Sequence, residues 1–138
     1  MRPRTLAAGS RLVSGLSLTA DAGGDQGVSW ESCRTGGSCG AVAVGRGAGA
    51  GFGPARTLGT ADAAVAPALA ISPQGQIIVG WLRHGSPVAS VGFGAATRLS
   101  RTPYATSIAV ASGPGRKALA AWGQNTLHPG VSAAAYRG

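Results

Sequence analysis

Apolar positions along the chain come in short bursts separated by small and turn-forming residues. Leu16-Ser17-Leu18, Leu69-Ala70-Ile71 and Ile108-Ala109-Val110 each set two large apolar side chains about a small residue, the period-two signature of a half-buried strand. A turn follows each: Asp21 to Gly24, Pro73-Gln74-Gly75 and Gly113-Pro114-Gly115. These residues supply the fixed or positive φ that tight reversals need. Second strands are predicted over Gln76–Trp81 and Lys117–Trp122, each closed by its tryptophan, and third strands over 41–44, 87–91 and 131–136. A Phe-x5-Leu segment then leads toward the next unit as a fourth strand.

The bursts are copies of one another. Trp81 and Trp122 stand 41 residues apart, as do Phe52 and Phe93, and Leu58 and Leu99. The segments GFGPARTLG (51–59) and GFGAATRLS (92–100) are one motif written twice. The apolar triplet precedes Trp30 and Trp122 by the same interval, whereas before Trp81 the intervening turn reads two residues shorter. The expected organisation is a flexible segment 1–14, then units of about 15–51, 52–92 and 93–138. The fold class is all-β: a partial β-propeller, or repeated antiparallel β-meander units of about 41 residues. In this reading Trp30, Trp81 and Trp122, with Phe52 and Phe93, are structural repeat positions. Their rings supply the large apolar contacts that Ala-rich strands lack.

Pro67-Ala68-Leu69-Ala70-Ile71, Gly75, Trp81 and Gly92-Phe93 together resemble the sialidase-like β-propeller repeats of secreted and surface proteins. The third unit departs from that pattern at its start, with Thr106 in place of the leading proline. The resemblance implies blades of about four strands, and a secreted or cell-surface location. It brings no catalytic residues with it, because Tyr104 and Tyr136 have no acidic neighbour in sequence. Propellers close with about four to eight blades. Three and a half units fall short, so the expected partners are further copies of the chain or the missing blades of a larger protein.

Composition sharpens this picture in three respects. Of the 138 residues 44% are hydrophobic, but only 5% are aromatic and 24 are Gly, so each buried side chain removes little area from water. The net charge of +8 comes from arginines strung along the whole chain rather than clustered. This spread argues against nucleic acid as a partner, and an Arg-rich, Ala- and Gly-rich composition is also what a GC-rich genome writes. Finally, no apolar run is long enough for a membrane-spanning helix. The opening Met1-Arg2-Pro3-Arg4 and Leu6-Ala7-Ala8 read as a truncated export signal that Arg11 interrupts.

Candidate chemistry is sparse. Cys33 and Cys39, in CRTGGSC, form a possible disulfide across a hairpin tip. Closing so short a loop contributes on the order of 2 kcal/mol and implies an oxidising compartment. A zinc site would need two further ligands from His84 and His128, and its five-residue spacer exceeds that of common cysteine pairs. Asp21 and Asp25 read as turn caps rather than calcium ligands. With Glu31 and Asp62 they are the only acids, and no pair is spaced for glycoside hydrolysis. Gly36-Gly37-Ser38-Cys39-Gly40 spells G-x-S-x-G, but at a hairpin tip rather than a strand-to-helix elbow; no phosphate loop is present, and Gly47 to Gly51 reads as a connector. No catalytic residue, metal ligand or cofactor is expected. The reading is a non-catalytic scaffold or protein/glycan contact module. The alternatives are part of a secreted carbohydrate-active enzyme whose active residues lie outside this chain, and an anion or nucleic-acid binder.

Overall fold

The computed structural model describes residues 4–6, 8–9, 11–114, 117–127 and 129–137, with the side chains of Tyr136 and Arg137 excepted. The chain is all-β. Its strands are β1 (Leu12–Ala20), β2 (Gln26–Cys33), β3 (Cys39–Arg46), β4 (Arg56–Ala61), β5 (Ala68–Ile71), β6 (Ile77–Arg83), β7 (Ser86–Val91), β8 (Thr97–Arg98), β9 (Ala105–Ser112), β10 (Lys117–Gln124) and β11 (Gly130–Arg137). They form three antiparallel meanders: sheet 1 is β1-β2-β3-β4, sheet 2 is β5-β6-β7-β8, and sheet 3 is β9-β10-β11. The sheets pack in chain order, with β5 against β1 and β2, and β9 against β5 and β6. No helix of the described residues is long and apolar enough to cross a membrane.

The repeat is more regular than the apolar triplets suggest. Ala20 pairs with Gln26, Ile71 with Ile77 and Ser112 with Ala118, so each first turn spans the same five residues (21–25, 72–76, 113–117). Within them Asp21 N–H donates to Asp25 O, Ser72 N–H to Gln76 O and Gly113 N–H to Lys117 O, at 3.0, 2.9 and 3.0 Å. The turn of the second unit is thus not shortened. The triplet 69–71 lies at the end of its strand, matching Leu18-Thr19-Ala20 rather than Leu16-Ser17-Leu18. The extra length of the first unit lies in the β2–β3 and β3–β4 loops (34–38 and 47–55 against 84–85 and 92–96).

Two further expectations are corrected. Trp30, Trp81 and Trp122 do not close their strands, which run on to Cys33, Arg83 and Gln124. The Phe-x5-Leu segments pair backward, β4 on β3 and β8 on β7, so each finishes the sheet before it. β1 also begins at Leu12, within the segment read as flexible, and its first residues pair with Ser32 and Cys33.

Alternation assigns the faces. In β6, Ile77, Val79 and Trp81 turn toward sheet 1, where they meet Ala41 and Ala43 of β3 together with Ile71 and Val88. Ile78, Gly80 and Leu82 turn toward sheet 3, where Ile78 meets Ala118 and Leu82 meets Trp122. Both faces are covered, which is why Ile77-Ile78-Val79-Gly80-Trp81-Leu82 is apolar without a break. Trp81 and Trp122 each face the preceding sheet. Trp81 is fully buried and its Nε1 donates to Thr60 O of β4 at 2.9 Å. Trp30, on the face of sheet 1 away from sheet 2, packs with Val42, Val44 and Phe52, and Leu6 of the N-terminal segment lies over them.

The two seams are not filled equally. Four and two residues before Trp81 stand Ile77 and Val79; at the same offsets before Trp122 stand Ala118 and Ala120. The lost side-chain volume reappears as an apolar cavity of about 160 Å³ between sheets 2 and 3, lined among others by Ile78, Val91, Leu99, Val110, Ala118 and Ala120.

Candidate functional site at the hairpin end

In a stack of meanders, alternate loops gather at one end. Here that end carries the β2–β3, β6–β7 and β10–β11 hairpins and the crossings from β4 to β5 and from β8 to β9. Hydrogen bonds stitch these loops across all three sheets. Ala64 N–H donates to Glu31 Oε1 at 3.2 Å. The two oxygens of Asp62 accept the N–H groups of His84 and Gly85, each at 2.6 Å. Gly85 O accepts from Tyr104 and Ala105, and Tyr104 O from Asn125. Charged acceptors on backbone amides are the stronger kind of hydrogen bond, so Asp62 holds the tight β6–β7 turn, where His84 and Gly85 both have positive φ.

Cys33 and Cys39 close the first hairpin. They are a register pair at the ends of β2 and β3, with their sulfurs at bonding distance, 2.06 Å. Glu31 lies two residues before Cys33 and shares its face of β2, and it is only 1% exposed. Its Oε1 stands 2.8 Å from Cys33 Sγ, a sulfur that carries no proton while bonded to Cys39. Oε2 is buried without a hydrogen-bond partner. Oxygen and both sulfurs fall within 4.8 Å of one another, the one such group of metal-ligand type among the described residues. The third group beside the cysteines is therefore Glu31, not His84, and His128 lies outside the described residues. An alternating strand makes Glu31 and Cys33 neighbours on one face, a signal present in the sequence as E-x-C.

Beside this hairpin Thr60, Arg83, His84 and Arg98 line a polar cleft of about 380 Å³. Arg98 is held there by Nη2 on Ser86 Oγ at 2.7 Å and Nε on Ser100 O at 2.9 Å. Arg34 and Arg101 are exposed on the same end. Asp21 and Asp25 lie at the opposite end, where each has an oxygen taken by a backbone amide: Asp21 Oδ1 by Asp25 N–H at 2.9 Å, Asp25 Oδ1 by Ala48 N–H at 2.8 Å. Arginines scattered in sequence thus converge in part, because every second loop ends in the same place. Phe52 and Phe93 stay at the opposite end, under Arg46 and Arg56 at 5.5 and 5.7 Å.

Trp30, Trp81 and Trp122 are all buried, and none opens onto the cleft. Comparison with known protein families and with curated proteins finds no match to this chain.

Proposed function

We propose that the three sheets are consecutive blades of a β-propeller and that the chain is a non-catalytic scaffold, built to be completed by further blades. The observation that carries this reading is the outer face of sheet 3. In β10 the run Ala118-Leu119-Ala120-Ala121-Trp122 is apolar throughout, as in doubly covered β6, yet burial alternates along it. Leu119 pairs with Ala111 and Ala135, Ala121 with Ala109 and Ala133, and Gly123 with Val131. Lys117 marks one end of this face; between it and Gly123 the face is apolar, and Leu119 and Val131 are 48% and 80% exposed. The corresponding faces of sheets 1 and 2 are each covered by the next sheet. Repetition makes the missing cover another sheet of the same kind, from a second copy or from a longer chain. Leu16 and Leu18 leave a second apolar edge exposed on β1.

Light scattering coupled to size-exclusion chromatography tests this. The chain is expected to run as a β-rich, discrete oligomer, and Leu119→Lys to shift it to monomer, since a charge cannot be buried unpaired between two sheets. A monodisperse monomer unaffected by the substitution would falsify the reading.

The hairpin end supports a second reading, as the surface where an anionic partner such as an acidic glycan binds. Arg34, Arg83, Arg98 and Arg101 gather there while Asp62 is spent on amides. Retention on immobilised heparin should fall steeply with salt and drop for Arg83→Ala with Arg98→Ala. Equal retention of that variant would sink the assignment.

A further inference from the structure

We infer that Glu31, Cys33 and Cys39 are a redox-gated zinc site, closed while the disulfide stands and opened by its reduction. Glu31 is 99% removed from solvent beside the disulfide, and while Oε1 accepts from Ala64 N–H, Oε2 has no partner; a buried polar atom left unpaired costs about 1–3 kcal/mol. Reduction supplies the missing partners. A trialkylphosphine and one water give the phosphine oxide and two thiols, the disulfide taking up two electrons and two protons. Binding Zn²⁺ then releases those two protons to solvent and leaves two thiolates and one carboxylate on the metal.

The geometry suits the ion. Tetrahedral zinc with bonds of about 2.3 Å sets its two sulfurs roughly 3.8 Å apart, and the Cα atoms of Cys33 and Cys39 stand 4.0 Å apart. The sulfurs of the Cys33/Cys39 register pair need only swing apart on a fixed backbone. Glu31 already lies within 4.8 Å of both. Cys33 is the least buried of the three, and a water on its side would complete the shell. Three protein ligands, two of them soft thiolates, favour zinc over magnesium or calcium. Oxidation by glutathione disulfide reverses the step: two electrons pass to it, two glutathione thiolates leave, Cys33 and Cys39 rejoin and zinc is released.

The test uses the whole chain, oxidised and phosphine-reduced, against Zn²⁺ in a competition titration and Co²⁺ in the visible spectrum. Reduced protein is expected to bind one zinc with release of two protons, and to give a thiolate-to-cobalt charge-transfer band; oxidised protein should do neither. Glu31→Gln should weaken zinc by about tenfold or more, and Cys33→Ser with Cys39→Ser should abolish binding. No uptake by reduced protein, equal uptake by the oxidised form, or undiminished affinity in Glu31→Gln would overturn the site. The cobalt spectrum of the unsubstituted chain decides independently of how any variant folds.

Discussion

Trp81→Ala is expected to remove the cooperative unfolding transition of this chain. Truncating a fully buried Trp costs about 3–5 kcal/mol, and domains of this size are held by only about 5–15 kcal/mol in all. A core built of alanines and valines belongs at the lower end of that range. The indole of Trp81 fills the seam between sheets 1 and 2 and is tied across it by Nε1 to Thr60 O, so its loss opens a cavity and orphans a carbonyl together. Urea unfolding followed by far-UV circular dichroism measures the effect. A midpoint unchanged by Trp81→Ala would mean that sheets 1 and 2 do not depend on this seam. The repeat supplies an internal control. Forty-one residues on from Thr60 is Arg101, whose carbonyl takes Arg98 Nη2 at 3.3 Å, and Trp122 Nε1 is buried without a partner. Replacing Trp122 by Phe therefore sacrifices no hydrogen bond, whereas Trp81→Phe loses one worth about 1 kcal/mol.

That contrast also shows what the sequence makes legible. Spacing reveals the three tryptophans and the recurrence of Phe52 at Phe93, since a residue filling a seam must return at the same offset in every unit. Alternation reveals strands but not their ends. A strand continues past its tryptophan because the hairpin beyond sets the last pair, Cys33 with Cys39 or Arg83 with Ser86, and hairpin length varies freely between units. The backward pairing of the Phe-x5-Leu segments is equally hidden, because β8 is only Thr97–Arg98 and so short a strand has no period. At the hairpin end the cysteine pair stands out by residue type. Glu31 does not, because a lone acid in a strand reads as solvent-facing until the neighbouring sheet is laid over it. Asp62 is hidden for another reason: its partners are backbone amides 22 and 23 residues away, which no side-chain pattern records.

Gly80→Val is expected to destabilise the chain by about 1–3 kcal/mol, the usual cost of overpacking a closed seam. A Cβ at Gly80 would stand 2.6 Å from Val110 Cγ1 and 3.0 Å from Ile108 Cδ1, and valine adds two methyl groups beyond it. Sheet 3 must then move away from sheet 2. A smaller residue at 110 should recover part of the loss, so Val110→Ala in the Gly80→Val background gives a favourable coupling energy in a double-mutant cycle; strictly additive effects would mean that the two side chains do not meet. The same seam is empty a few ångströms along the strand, at Ala118, where the second unit carries Ile77. Ala118→Ile is therefore expected to act in the opposite direction, raising stability by about 0.5–2 kcal/mol as cavity-filling substitutions do. Opposite signs from two enlargements in one seam follow only if glycine at 80 and alanine at 118 answer to different local volumes. Gly80 lets β6 approach β9 closely, and that closeness holds sheet 3 against sheet 2 even where Ala118 and Ala120 leave the space between them unfilled.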